Sequence, residues 1–406
     1  MEFQPRLSPE LWTIVFQMLS GRSDWPPRID SDIGNLRLTC RLFENLATPF
    51  LLPRISCGPL SSSLTRLTAV SCHPVLSRSV KEVVFICNQY QFIKTLPEYK
   101  EALCRAGSLS SRKFEEPESE EENLDLETAF SQYGQHFDDQ TAMENSGEVI
   151  ARLCSALMRM PNVKKITVSP NFVCFLDCYD YSRYFLEPEP AYNEAFLLMA
   201  RVLSLTGAKI RELSVESDDT VCGDYYGVDG AVFRGMSPMD LSHCCNAFRG
   251  LREATITADE YDIDGWMTGN MAKILSVATN LESLWFGSRS QFRISLKYIF
   301  STTTWNRLTS LNFSWITFDQ GELLDLLRRH SGTLKKIDLL CVTLTNGSWR
   351  ILLEGMKSSL SLEAISIDDP CEEDDEGVMI DKYVRQAALE DYLLGDGPHP
   401  LPNNVP

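Results

Sequence analysis

Eight times along the chain the same order of positions recurs: apolar, two variable, apolar, one variable, apolar. It runs through Val80–Phe85, Val163–Val168, Ile210–Val215, Leu251–Ile256, Leu281–Phe286, Leu308–Phe313, Leu334–Leu339 and Leu362–Ile367. The alternation that ends each hexad is the period-two mark of a strand with one buried face. The last five start at residues 251, 281, 308, 334 and 362, spacings of 30, 27, 26 and 28. Earlier spacings are 83, 47 and 41, so insertions interrupt the first half. Between hexads apolar residues fall at helical intervals: Val149/Ile150/Leu153/Leu157, Phe196/Met199/Ala200/Leu203, Ile274/Leu275/Ala278, Leu323/Leu324/Leu327 and Trp349/Leu352/Leu353/Met356. A strand and a helix at a near-constant late period predict stacked α/β units, each helix covering its own strand while neighbours close the core. The competing reading is a non-repeating α/β domain whose strands share one pattern.

The first fifty residues follow a different period. Ser8-Pro9-Glu10 is a helix start, with Ser8 as N-cap, Pro9 at the first helical position and Glu10 facing the positive end of the dipole. The helix that follows carries two apolar stripes, Leu11/Ile14/Val15/Met18 and Trp12/Phe16/Leu19. A small unit cannot bury both alone, so one stripe must meet another surface. After a polar loop, Gly21–Ile29, a second cap cluster at Asp30-Ser31-Asp32 opens the apolar run Ile33, Leu36, Leu38, Cys40, Leu42, Phe43, Leu46 and Ala47, which Pro49 stops.

These residues resemble the F-box family, its fungal branch in particular. Leu7-Ser8-Pro9-Glu10, Ile14 and Met18-Leu19 correspond to the family's opening helix, and Leu36-Arg37-Leu38-Thr39-Cys40-Arg41-Leu42-Phe43 to its second segment, with Ala47, Pro49 and Leu51 beyond. Ser8 between Leu7 and Pro9, and the long loop Gly21–Ile29, depart from the family pattern. The resemblance covers residues 5–55 and implies a three-helix unit docking on a Skp-type adaptor, and through it on a cullin. The adaptor-facing positions it implies are Leu7, Pro9, Glu10, Ile14, Leu36, Leu38, Cys40 and Phe43, some of which must hold the helices together instead. The hexads and helices resemble leucine-rich repeats, implying an irregular α/β solenoid of about eight strand–helix units. The ninth repeat position departs: Arg289, Ile316 and Val342 stand where asparagine or cysteine is usual, so the solenoid is expected to be irregular. Outward strand positions, Trp285, Asn312 and Asp338, are the candidate contacts to a protein substrate. The ending Asp391-Tyr392-Leu393-Leu394-Gly395-Asp396-Gly397-Pro398-His399-Pro400-Leu401 is similar to that of fungal F-box proteins.

Charge refines the boundaries. The formal net charge is −18. Residues 115–127 hold eight acids and 368–376 hold seven, with no base in either run, so 15 of the 18 negative charges are local. The first run marks residues 107–146 as an acidic insertion, expected as a solvated disordered loop; Ser119 with Glu122 is a candidate acidophilic kinase site within it. The second run marks 369–377 as a linker to a C-terminal helix, Met379–Leu394, within a last segment of 378–406. Linker helices and a first repeat strand fill 60–106, and the array itself 147–368. No Lys/Arg-rich stripe exists, which argues against nucleic acid. The N-terminus lacks a signal-peptide pattern, and the longest apolar stretch, Phe196–Leu205, is about half the roughly 20 residues a bilayer needs, so no membrane association is expected. The 13 cysteines are scattered, with Cys40, Cys87, Cys154 and Cys341 in apolar strings, as in a reducing compartment, cytoplasmic or nuclear.

No phosphate loop, nucleophile elbow or metalloprotease helix is present. The five histidines, His73, His136, His243, His330 and His399, are not at metal-ligand spacing. Cys174 and Cys178 with His243-Cys244-Cys245 supply zinc-ligand types without a paired Cys-x2-Cys. Glu260, Asp262 and Asp264 imitate the start of a calcium loop, but Met271 stands where the closing Glu belongs, and Asp264 suits a helix N-cap. The expectation is a non-catalytic chain without cofactor or metal, the substrate receptor of a cullin-dependent ubiquitin ligase. The alternatives are a repeat scaffold that directs no ubiquitination, and an enzyme with an unrecognised site.

Overall fold

The computed structural model describes residues 7–20, 31–109, 117, 119–170, 186, 189–217, 227–372 and 386–401. They form an α/β chain of two compact units, Met1–Ala191 with Asp218–Asp224, and Tyr192–Ser217 with Tyr225–Pro406. Among the described residues no helix is long and apolar enough to cross a membrane.

The first unit opens with helices α1 (Pro9–Ser20), α2 (Ser31–Arg37) and α3 (Arg41–Ala47) and a 3-10 turn at Thr48–Phe50. Phe16, Ile33, Phe43 and Ala47 are their buried core. The run from Ile33 to Ala47 is two helices because Cys40 is extended (φ −163°) and caps α3, its carbonyl accepting from Glu44 N at 2.9 Å. Strand β1 (Arg54–Cys57) follows, then helices α4 (Ser61–Cys72) and α5 (Leu76–Ser79), strands β2 (Glu82–Ile86) and β3 (Asn88–Gln89), helices α6 (Leu96–Leu109), α7 (Glu120–Asn145) and α8 (Glu148–Arg159), and strands β4 (Lys165–Ser169) and β5 (Glu189–Pro190). β1, β2 and β4 are parallel and in register, aligning Ile55, Val83 and Ile166, then Cys57, Phe85 and Val168; β3 and β5 pair antiparallel. The array therefore starts before the first recognised hexad. Leu52-Pro53-Arg54-Ile55-Ser56-Cys57 is a ninth copy whose last apolar place is a cysteine, so a helical unit ending at residue 55 would cut through β1.

Residues 119–146 differ from the solvated loop expected of them. Glu120–Asn145 is one 26-residue helix whose N-cap, Ser119, accepts from Glu122 N at 3.1 Å. The three glutamates of its first turn sit where the dipole favours them. From the end of the acidic stretch onward, Leu126, Ala129 and Tyr133 form a buried helical stripe that the surrounding charge density obscured. Residues 110–116 and 118 of the same segment lie outside the described residues.

The second unit contains helix α9 (Tyr192–Thr206), strand β6 (Glu212–Val215), helices α10 (Ala231–Arg234) and α11 (Pro238–Phe248), strand β7 (Glu253–Thr257), helices α12 (Ile263–Trp266) and α13 (Asn270–Ser276), strand β8 (Ser283–Arg293), helix α14 (Leu296–Phe300) and strand β9 (Ser310–Phe318). Helix α15 (Gln320–Arg329), strands β10 (Lys336–Leu340) and β11 (Thr343–Leu344), helix α16 (Trp349–Ser359), strands β12 (Ala364–Asp368) and β13 (Cys371–Glu372) and helix α17 (Gln386–Leu393) complete it. β6, β7, β8, β9, β10 and β12 lie side by side and parallel. Their fourth hexad positions stack as Leu213, Ala254, Leu284, Leu311, Ile337 and Ile365, their sixth as Val215, Ile256, Phe286, Phe313, Leu339 and Ile367. All twelve are buried. Hexads enter through one repeated device: the carbonyls of Arg211, Arg252, Glu282, Thr309 and Lys335 each accept two backbone N–H bonds from the next repeat. The five helix-spaced segments all lie on helices, with Ala278 just past the end of α13.

The strand ends account for the unusual ninth position. Trp315, Cys341 and Asp369, each eighth in its repeat, take left-handed φ of 56°, 52° and 49°. The chain then pairs again, Thr343 opposite both Thr317 and Cys371. Ile316 and Val342 are fully buried inside this turn, so an apolar row stands where a side-chain amide ladder would otherwise run. Gln291 supplies the polar cross-link instead: Nε2 donates to Cys341 O at 3.1 Å, and Oε1 accepts from Thr317 Oγ1 at 2.8 Å and Thr343 Oγ1 at 3.3 Å. Arg289 lies elsewhere, its Nε donating to Ser217 Oγ at 2.9 Å. At the far end Leu389, Leu393 and Leu401 are buried, and Gln386 Nε2 donates to Ile365 O of β12 at 2.6 Å. The described part of the expected C-terminal helix begins at Gln386; residues 373–385 lie outside the described residues.

Candidate protein-binding surfaces

Of the two stripes on α1, the chain buries one. Phe16 is sealed, with Trp12 and Leu19 partly buried around it; Trp12 and Phe43 rings lie 4.7 Å apart, and Phe16 meets Phe43 edge-on at 5.2 Å. The other stripe faces out: Leu11, Ile14 (48% exposed) and Met18 (68%), with Val15 half-buried. Leu38, in the turn between α2 and α3, is 85% exposed. Among the residues implied as adaptor-facing, Leu7, Pro9, Glu10, Ile14 and Leu38 are exposed, and Leu36 and Cys40 are half-buried. Phe43 is a core residue instead: the Trp12 and Phe16 rings pack against it, and burying its large apolar ring is favourable. Leu11 and Met18, which are not among the residues implied as adaptor-facing, belong to the exposed row; their three- and four-residue spacing from Ile14 was the available signal. Glu10 is fully exposed, and the Ser8 hydroxyl holds its carboxyl below the usual range.

The strands' outward positions differ between the units. In the first, Val84 and Ile86 of β2 are buried in a cluster with Tyr99 and Leu103 of α6 and Leu126 and Tyr133 of α7. Thr167 and Ser169 of β4 are buried as well. Hydrogen bonds fasten the cover: Tyr90 N donates to Gln140 Oε1 (2.9 Å), Gln91 N to Tyr133 Oη (2.9 Å) and Ser61 N to Asp139 Oδ2 (2.8 Å). Burial pushes the Tyr90 hydroxyl well above its ordinary value and that of Tyr99 up to about 12. An apolar Val84 at a position where β7, β9, β10 and β12 carry Thr255, Asn312, Asp338 and Ser366 was the sequence signal for this covering.

In the second unit the outward face is open only in part: Ser214, Thr257 and Ser314 are buried, while Asp338 and Leu340 of β10 and Asp368 of β12 are exposed. Trp285 and Asn312 are half-buried and Asp338 is exposed, on three neighbouring strands in one register. Gly287 gives the Trp285 ring its seat: a Cβ there would lie 2.7 Å from Trp285 Cη2 and 2.9 Å from Ser314 Cβ. Burial and the neighbouring charge of Asp368 push the Asp338 carboxyl above the usual carboxylate range.

The candidate chemistry falls away on inspection. Asp262, not Asp264, caps α12; it accepts from Gly265 N, and its carboxylate pairs with Arg234. Cys244 is fully buried, and desolvation pushes its thiol up to about 12, far from a thiolate ligand or nucleophile. Cys174 and Cys178 lie outside the described residues. Among the described residues no group of three potential ligands gathers for a metal. Compared with known proteins, the chain matches no family model and no curated sequence.

Proposed function

We propose that this chain is the substrate-receptor subunit of a cullin-dependent ubiquitin ligase, with α1–α3 as an F-box that docks a Skp-type adaptor and the repeats holding the target. The observation that supports the reading is the apolar row Leu11, Ile14 and Met18, with Leu38 beyond it, left exposed by helices that already have a complete core. Exposed aliphatic residues gathered on one helix face mark a binding surface more often than isolated ones do. Buried apolar anchors dominate helix-to-helix interfaces. The receptor needs no catalytic residue, since it acts by holding a target near the transfer machinery.

The test is binding to a purified Skp-type adaptor. Ile14→Asp with Leu38→Asp places two charges in the contact without touching Phe16, Ile33 or Phe43. Adaptor affinity is expected to fall more than about a hundredfold, which is about 2.7 kcal/mol, with the circular dichroism spectrum unchanged. Unchanged affinity refutes the docking surface. Capture of adaptor together with cullin supports the ligase reading; adaptor without cullin would make the chain a scaffold.

A further inference from the structure

We infer that the edge of the first unit where the chain enters β2 and β4 binds an acidic segment of a partner protein, seating one apolar side chain between Pro49, Phe50, Pro74 and Val75 and its carboxylates on Arg78, Lys81, Arg159 and Lys164. The inference goes beyond the receptor reading, under which that partner would be the ubiquitination target. Three observations carry it. First, in a chain of net charge −18, the fold joins two runs that hold no acid, residues 45–81 and 149–176. The runs are distant in sequence, yet β2 pairs in parallel with β4, and α4 packs against α8. Arg152 Nη1 donates to Thr65 Oγ1 at 3.2 Å, and Arg159 Nη1 to Cys72 Sγ at 3.3 Å. Second, the described acids that border these runs have other basic neighbours. Glu82 takes Arg54 at 2.9 Å and Lys165 at 3.7 Å, Glu148 takes Arg152 at 2.7 Å, and Glu44 lines a separate hollow with Arg37 and Arg41. Arg78, Lys81, Arg159 and Lys164 have no acidic partner among the described residues. The first three are exposed and Lys164 is half-buried. They adjoin one another: Lys164 N donates to Lys81 O at 2.8 Å, and Asn162 Nδ2 to Arg78 O at 2.6 Å. Third, an open hollow of about 350 Å³ lies beside them, lined by Pro49, Phe50, Pro74 and Val75 together with Arg78 and Lys81. Val75, though apolar, is exposed in its wall.

These charges select the occupant. The dipole of α8 favours Arg159 in its last turn, but Lys81 and Lys164 stand at strand entries, outside any helix. Neighbouring strands lie about 4.8 Å apart, so the two lysines repel in the free chain. A carboxylate between them removes that repulsion as well as adding attraction, whereas a neutral or basic segment leaves it in place. In an extended segment, side chains on one face recur about every 6.5–7 Å, so acids on either side of a seated apolar residue reach the cations around the hollow. Phe50 is the one aromatic of that hollow and is half-buried, so bases find no stacking platform and a nucleic acid is disfavoured.

The experiment uses the full chain and a fluorescent peptide in which glutamates flank a single leucine, read by anisotropy at about 0.15 M salt. Arg78→Gln with Lys81→Gln lies on the surface, so the fold is retained; affinity is expected to drop about tenfold, two screened ion pairs' worth. Val75→Asp sets a like charge against the peptide in the wall of the hollow, and aspartate suits this N-cap position of α5; it should weaken binding at least as much. Lys335→Gln with Lys336→Gln, at the corresponding entry of β10, should change affinity less than about twofold. The Ile14→Asp/Leu38→Asp chain should bind the peptide normally, and the Arg78→Gln/Lys81→Gln chain should bind adaptor normally, so either proposal can fail without the other. Loss of adaptor by the latter would make this edge part of the adaptor contact and overturn it as a separate site. No binding by the unmodified chain, equal losses from the β10 lysines, or equal affinity for a peptide with glutamines in place of the glutamates would each overturn the inference. So would a single-stranded RNA of equal charge bound as tightly as the peptide.

Discussion

Leu126→Ala separates a packed cover from a solvated insertion. Leu126 is fully buried on α7, in the cluster that includes outward Val84 and Ile86 of β2. A solvated loop would lose almost nothing on truncation, whereas a buried leucine loses its transfer free energy and leaves a cavity, together about 2.7–5 kcal/mol. Here the cavity cannot collapse easily, because its walls are tyrosines pinned by hydrogen bonds. Tyr133 Oη accepts from Gln91 N, and Tyr99 Oη from Leu186 N. The expected cost is therefore about 3–4 kcal/mol. Leu124→Ala is the control: on the same helix and 62% exposed, it should cost less than about 0.5 kcal/mol. Because the chain has two units, global unfolding is not a clean measure, and native-state hydrogen exchange is the better assay. Backbone amides of Val84 to Ile86 and of the Ala129–Tyr133 turn should exchange about a hundredfold faster in Leu126→Ala, the kinetic counterpart of about 3 kcal/mol. Equal protection in the two variants would mean that α7 does not seal β2.

Three further expectations follow from particular contacts. His330 is buried, stacked on Trp305, with Nε2 accepting from Trp305 N at 3.0 Å and Nδ1 2.8 Å from Leu326 O, so it is held neutral and burial lowers its pKa. The unfolded chain then takes up a proton that the folded one resists, and stability is lost as pH falls below about 6.5; in His330→Gln the thermal midpoint should decline less between about pH 7 and pH 5, and an equal decline would refute this. Gln291→Ala removes the cross-link among three strand ends and should cost about 1 kcal/mol, measured as faster amide exchange around Thr317 and Thr343, with no change in β6. Gly287→Val puts a side chain against the Trp285 ring; it should shift tryptophan emission, while adaptor binding stays intact, and unchanged emission would refute the contact.

The sequence by itself fixed the strands of the array and their spacing. A strand with one buried face must alternate, and a helix covering it must repeat every three or four residues, so eight hexads and five helical stripes were legible without coordinates. The ninth hexad escaped because Cys57 is a weak apolar mark and Pro53 interrupts it. The two stripes of α1 were equally legible, but which one the chain keeps was not. Only packing decided that Phe43 turns inward to meet Trp12 and Phe16, leaving Leu11, Ile14 and Met18 outside. The same holds for the insertion. Local charge density argued for solvent, yet the apolar outward side of β2 lies more than thirty residues upstream of α7 and needs a cover, and a contact between distant segments leaves no local period to read. Which part of the strand face stays open was therefore decided by tertiary structure, because burial is a property of pairs of surfaces and a sequence pattern describes only one of them at a time.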